Sequence, residues 1–505
     1  MKSGNKVIAA LLCSTIIAAS PQAVGTLPSV SAASEHFSEQ LDNIPASTRE
    51  TVQATIDFFD MSNLALEVKT AKSGSEELQI GVRSTEEGDE NLPAELRIWL
   101  STKTGKLHRL DVIWKREFEE RKADKTVALH TAGDFSKQVL GESFSVGNNP
   151  ALLPNNQALV SLYAKVDDIP VQKQAAEVTV DANGDITSFE IKDAEVDENA
   201  LPAVSDVLSV DEAKQLIAEQ LEMELVYDDE RQTYQYVPLP FEWMDAKTGA
   251  VDPHPYQYAD ETYQIAEDRE KGLAAAGDTR EMAEAFLGFE PATLELSTSR
   301  QSQPERAAVT VYTVKDDSGE AVIRTDENTG TLLSLHTEKS GKRQVDEPLS
   351  YEQAKTFALE FIEQHVSMKK GEYLLRERYL TEQVPDWVKK NELPAEYQVE
   401  LYPLVDGKRT AAPSVSITID LHNHSITSVT TRAYQLDQAA APTLLSLDQA
   451  KQAWVEAVQL ELRYVYPSFL YQTSEKPQLA YIPSFAVESR YVDAVSGKLG
   501  QTQGW

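Results

Sequence analysis

Ser209-Val210-Asp211-Glu212-Ala213-Lys214-Gln215 returns 237 residues later as Ser446-Leu447-Asp448-Gln449-Ala450-Lys451-Gln452. A chain that repeats itself must use one local architecture twice, and this limits its folds more than any composition does. Met223-Glu224-Leu225-Val226-Tyr227 returns at the same offset as Leu460-Glu461-Leu462-Arg463-Tyr464. Asp245-Ala246-Lys247-Thr248-Gly249 returns as Asp493-Ala494-Val495-Ser496-Gly497, at an offset of 248, so the second copy gains 11 residues in between. Upstream, Thr48-Arg49-Glu50 pairs with Thr279-Arg280-Glu281, and Lys103-Thr104-Gly105 with Asn328-Thr329-Gly330. Val160–Tyr163 likewise matches Val399–Tyr402, and Val178–Asp181 matches Ile417–Asp420. The reading is two copies, residues 33–265 and 278–505, joined by a linker at 266–277 that centres on Glu270–Gly277.

Within each copy, helix and hairpin signals alternate. Ser209/Glu212, Ser350/Gln353 and Ser446/Gln449 have the spacing of capping boxes, and Ser47/Glu50 opens an earlier helix. Behind these caps, apolar residues fall on one helical face: Ala450, Ala453, Trp454, Ala457 and Val458; Ala354, Phe357, Ala358 and Phe361; Val52, Ile56 and Phe59. Turns at Thr104-Gly105, Asn183-Gly184, Thr248-Gly249, Thr329-Gly330, His422-Asn423 and Ser496-Gly497 separate alternating strands. The expected fold is therefore α+β: two duplicated copies, each of three units in which a helix lies on an antiparallel hairpin. Such ribbons cannot stand alone, so the units must share a core.

The Leu-Ser-x-x-x-Ala-Lys helix start at Leu208–Lys214 and Leu349–Lys355 resembles that of the YcdB/YcdC repeat proteins, an exported bacterial group akin to PepSY domains. The hairpin endings Tyr236…Gly249 and Tyr481…Gly497 carry the same resemblance. It implies helix-plus-antiparallel-sheet units and no established catalysis. PepSY-type domains occur in propeptides of thermolysin-type metalloproteases and beside spore cortex-lytic enzymes, so the resemblance implies restraint or stabilisation of an extracellular hydrolase. This chain carries no protease domain or wall-binding segment, so such a partner would be met in trans.

Charge and the first residues suggest an address. Asp and Glu number 81 against 47 Lys and Arg, for a net −34, which disfavours nucleic acid and anionic membrane surfaces as partners. Lys2 and Lys6, the apolar run Val7–Ala19 and the small residues of Val30-Ser31-Ala32 read as a signal peptide over residues 1–32. The apolar run is too short to span a bilayer. Cleavage would remove Cys13, the sole cysteine, and leave a chain without disulfides or thiol chemistry. The expected location is extracellular or wall-associated, in a Gram-positive-type bacterium.

No residue constellation demands catalysis. Asp245, Gly249, Asp493 and Gly497 are read as structural turns, in which Asp accepts backbone N–H bonds and Gly takes positive φ. Asp181-Ala182-Asn183-Gly184-Asp185 imitates the start of a calcium loop, but Ile186 and Lys192 stand where that loop needs Gly and Glu, so a hairpin is expected. His422 and His424 are placed across a turn rather than on a metal, and His254 in a rigid loop. Serine-elbow, Walker and dinucleotide fingerprints do not occur in the sequence. The acidic runs Glu86–Glu90 and Asp228–Glu230 are expected to be solvated loops, and Tyr234, Tyr236, Phe241 and Trp243 to pack a sheet.

These readings assign no catalytic residue, cofactor or metal. The expectation is a secreted, non-enzymatic module whose partner is an extracellular protein, in particular a protease or wall hydrolase. The alternatives are an envelope enzyme using unidentified carboxylates and a plain envelope-structural or storage protein. An open apolar groove favours the binder, whereas a closed cleft with two carboxylates of raised pKa favours the enzyme.

Overall fold

The computed structural model describes residues 46–500 except 62–63, 71–76, 85–89, 117–120, 193–196, 240–241, 253, 274–275, 302–307, 340–346, 435–441 and 485–490. The expected signal peptide, Glu86–Asp89 and Phe241 lie outside the described residues. Contacts divide the described chain into two units, residues 46–162 with 175–194, and residues 163–174 with 195–500. The described residues form six helices: α1 (Ala46–Phe58), α2 (Lys125–Phe135), α3 (Val210–Gln220), α4 (Ala276–Phe286), α5 (Tyr351–His365) and α6 (Leu447–Ala457).

In the first unit, α1 is followed by a four-strand antiparallel meander, Leu64–Thr70, Glu77–Ser84, Pro93–Ser101 and Leu107–Trp114. Ile186–Ile191 joins the last of these strands, and residues 176–180 pair with it in turn. Val52, Ile56, Ala128, Ala132 and Phe135 of the two helices bury against the apolar face of that sheet. The second unit contains the same order. Helix α4 precedes Glu295–Gln301, Val309–Asp316, Gly319–Asp326 and Leu332–Lys339. The sheet then continues through Ser425–Thr431, Val415–Asp420, Glu396–Val405, Gly371–Leu380 and Tyr256–Ile265. Met282, Phe286, Ala354, Ala358, Phe361 and Ile362 of α4 and α5 cover one face of it. Each fully buried Phe or Ile there contributes about 1.5–3 kcal/mol relative to exposure.

The two remaining helices, both in the second unit, close on each other by exchange of strands. The ribbon Met223–Asp228/Thr233–Pro238 does not pair with the strand Met244–Asp245 that follows it. It takes Tyr491–Asp493 instead, through Gln235↔Asp493 and Tyr236↔Val492. The ribbon Gln459–Val465/Gln478–Ser484 takes Met244–Asp245, through Met244↔Tyr481 and Asp245↔Ala480. The backbone bonds are reciprocal: Ala246 N–H donates to Leu479 O and Ala494 N–H to Tyr234 O, each at 2.9 Å. So are the hydroxyls, with Tyr236 donating to Leu445 O at 2.8 Å and Tyr481 to Leu208 O at 2.5 Å. Ala213 and Ile217 of α3 share one core with Ala450 and Trp454 of α6.

The expected α+β architecture of three helix-plus-hairpin units per copy is therefore corrected. The chain is mostly β, 44% strand against 21% helix, in several large sheets. One reason is that α1 and α4 each precede a meander of four strands. The turns at Thr104-Gly105 and Thr329-Gly330 are only two of the turns in those meanders. In the second unit, another turn is made by Asp316, whose Oδ1 accepts the N–H groups of Ser318 and Gly319. The other reason is the exchange, which means that neither late helix-and-hairpin is complete by itself. The stretch expected as a linker is hydrogen-bonded along its backbone: Arg269 and Met368 exchange bonds of 2.8 and 2.9 Å, and Leu273 N–H donates to Gly330 O at 2.9 Å.

Candidate functional site

Three capping boxes are present with both hydrogen bonds, at Ser209, Ser350 and Ser446. The second positions an open apolar hollow. Ser350 N–H donates to Gln353 Oε1 at 2.9 Å, which fixes where α5 begins. Leu349 N–H reaches Leu421 O at 2.9 Å and Leu421 N–H reaches Ala395 O at 2.8 Å, so three chain segments are laced side by side. Above them lies a groove of about 720 Å³ whose walls include Leu349, Leu380, Val384, Leu393, Pro394 and Leu421. Tyr351, 41% exposed, stands in it and stacks on buried Tyr397 with centroids 5.7 Å apart. Tyr397 is anchored in turn by its hydroxyl on Glu377 Oε2 at 2.5 Å, and Lys355 holds the other oxygen of Glu377 at 2.9 Å. Burial pushes the Tyr351 and Tyr397 phenols up, so both stay neutral hydrogen-bonding rings.

A shallower hollow of about 350 Å³ shares Leu349 and runs along α5 past Phe357, with Glu352 and Glu360 beside it. Glu382, Glu396, Lys390 and His422 line the main groove. The surface is thus an apolar trough with a predominantly acidic rim. Its chemistry suits adhesion to an apolar segment flanked by cations.

Behind this sheet lies a charged lock. Arg409 grips Glu224 with two bonds of 2.7 Å, and Arg376 bridges Glu224 and Asp260. Burial alone would raise the Glu224 carboxyl, but hydrogen bonds and charge from Arg409 and Arg376 outweigh it and hold the group below the usual range. Asp228 and Asp229, expected in a solvated loop, are buried and paired with Arg231 and Arg432.

The turn residues repeat one geometry. Asp245 Oδ1 accepts the N–H groups of Lys247 and Thr248, and Asp493 Oδ1 those of Val495 and Ser496. Gly249 and Gly497 follow at φ +72° and +73°, where a Cβ is strained. Asp181 Oδ1 likewise accepts Asn183 and Asp185 N–H, while Arg116 lies against Asp185. At 422–424 the left-handed residue is His424 (φ 48°), not Asn423, and its Nε2 donates to Glu347 O. Tyr256 N–H donates to His254 Nδ1 at 3.2 Å. Tyr234 and Tyr236 are buried in the exchanged core; burial and then Asp406 push the Tyr234 phenol to about 12. Among the described residues no three His, Cys, Asp or Glu side chains are grouped to hold a metal.

One carboxylate pair is raised, chiefly by burial: Glu242 and Asp252. Asp252 Oδ1 accepts the backbone N–H groups of Glu242 and Trp243, so this carboxylate closes its own loop. The groove was not legible as a motif, since its residues come from separate segments. One overlooked turn signal was legible, Asp406-Gly407, with φ of 49° and 71° between Val405 and Lys408.

The fold and these surfaces describe a repeat protein of helix-covered antiparallel sheets. Residues 211–392, from the first turn of α3 to the turn beside the groove, match the family described as the YcdB, YcdC repeated domain. The solved C-terminal domain of YpeB from Bacillus megaterium is similar at 10% identity, over 57% of this chain and 96% of that one, with a TM-score of 0.27. A structure from a study of two prolyl endopeptidases is similar at 9% identity, over 88% of this chain and 58% of that one, with a TM-score of 0.09. No curated protein matches the chain. No helix among the described residues is long and apolar enough to cross a membrane.

Proposed function

We propose that the chain is an exported, non-catalytic protein-binding module that seats an apolar segment of an extracellular hydrolase and restrains or stabilises that enzyme. The groove beneath Tyr351 carries this reading, because an open apolar trough of about 720 Å³ adheres to a partner and offers no enclosed reaction centre. Its rim of Glu352, Glu360, Glu382 and Glu396 favours a basic partner, whose association slows as salt rises. The family resemblance supports the same role. The test mixes residues 33–505 with the secreted proteases and wall hydrolases of the source. One of them should change activity or gain melting temperature at stoichiometric ratio. Leu393→Asp, which places a charge in the trough, should abolish the response. If none responds and the protein alone releases reducing sugar or peptide from wall material, the role is enzymatic. Glu242 and Asp252 are the observation that favours this second reading, and Glu242→Gln would then remove the activity.

A further inference from the structure

We propose that a second cavity, bounded by Arg269, Lys271 and Lys369, binds a small ligand through a carboxylate or phosphate group. The cavity has a volume of about 660 Å³, within the range of small-molecule sites, and lies in the second unit. Its walls are fixed. Lys271 N–H donates to Ser367 Oγ at 3.0 Å, and that hydroxyl returns a bond to Lys271 O at 2.8 Å. A Cβ on Gly272 would stand 2.7 Å from Thr329 O, so the two backbones touch there. On the far wall Tyr434 and Tyr373 share a hydroxyl–hydroxyl bond of 2.5 Å, and Tyr373 donates to Lys369 O at 2.7 Å.

Four cations and two acids line this cavity, in a chain whose net charge is −34. One cation is already spent: Arg432 is held by Asp229 at 2.7 Å. Arg269 is not. Its Nη1 is buried without a hydrogen-bond partner. Lys271 and Lys369 form no ion pair among the described residues, and Lys369 Nζ stands 5.6 Å from the Tyr434 ring centroid. Of the acids, Asp268 accepts the Lys370 N–H at 2.6 Å, and Glu270 completes the lining. A guanidinium cannot shed its proton, so Arg269 keeps a fixed positive charge on the cavity wall. A carboxylate or phosphate matches the guanidinium fork, with the two ammonium groups as further donors. Leu333 and Met368 give the rest of the ligand an apolar wall.

This inference is independent of the groove. Residues 33–505 are titrated with inorganic phosphate and with citrate, against sodium chloride at matched ionic strength, while the melting temperature and heat of binding are read. The expected result is a saturable rise with at least one probe. Phosphate alone assigns a phosphate compound, and citrate alone a carboxylate. Arg269→Gln and Lys369→Gln should each weaken the response at least tenfold, whereas Lys370→Gln, which removes the same charge outside the cavity, should preserve it. If Arg269→Gln does not fold, the affinity of Lys369→Gln decides. No saturable response to either probe, or an unchanged response in Lys369→Gln, overturns the proposal.

Discussion

The two halves of the exchanged core, residues 208–249 and 445–497, share caps, turns and reciprocal tyrosine bonds, yet they differ at one acid. Glu224 and Glu461 occupy equivalent places in the repeat. Glu224 is held by Arg409 and Arg376, residues from other strands, whereas Glu461 pairs with Arg463 two residues along its own strand. The first half has become a joint to the large sheet of its unit, while the second keeps a local ion pair. Repetition thus preserved the framework, and the long-range chemistry diverged upon it.

Deleting residues 491–505 should have the largest effect, because it removes the strand paired with Gln235 and Tyr236 together with the turn built on Asp493. The near-ultraviolet signal of the tyrosine-rich core should collapse in both halves. A loss confined to the second half would break the reciprocity. Next comes Glu224→Gln, which leaves the nearly buried Arg409 without a carboxylate and Arg376 with Asp260 alone, and should cost about 3 kcal/mol in chemical denaturation. Glu461→Gln, with a more open carboxylate and a single partner, the buried Arg463, should cost less than Glu224→Gln.

The same pair can be separated by pH. The folded-state pKa of Glu224 lies below its ordinary value near 4.5, so its stabilisation is full above that value. It disappears as pH falls through the folded value. The melting temperatures of the parent chain and Glu224→Gln should therefore converge below about pH 4.5, and a gap that persists undiminished at low pH would assign the loss to packing.

Smaller differences follow at the turns. Gly249→Ala and Gly497→Ala both place a Cβ at positive φ, worth about 1 kcal/mol. At Gly249 the new atom would also lie 2.4 Å from Leu216 Cδ1, against 3.2 Å from Leu445 Cδ1 at Gly497. Gly249→Ala should therefore be the worse by about 1 kcal/mol, moderated by rotation of Leu216. Tyr236→Phe and Tyr481→Phe should each cost about 1 kcal/mol and be equal to one another, since each removes one equivalent hydroxyl bond. Unequal losses would show that the halves carry unequal load.

What could be read from the sequence was what is decided within a few residues. The caps at Ser209, Ser350 and Ser446 were legible because a side chain and an N–H three positions on settle them locally. The helical faces around Ala354 and Trp454 were legible from their period. Strand partnership was not. Met244 pairs with Tyr481 although Tyr236 occupies the equivalent place much nearer in the chain, and nothing in either ribbon's alternation distinguishes the two. The groove at Tyr351 and the cavity at Arg269 were hidden for the same reason, since both are assembled from segments far apart in the chain.

The exchange also sets an order of events during synthesis. The Tyr481 hydroxyl and the Leu208 carbonyl that it caps are separated by 273 residues. Until the later one is made, the earlier ribbon has an open edge and the strand Met244–Asp245 has no place to dock. Local helices and meanders can form as they emerge, but this clasp shuts only after Tyr481 and its strand have been made. A product that stops before Gln478 would keep that edge unpaired and open to proteases.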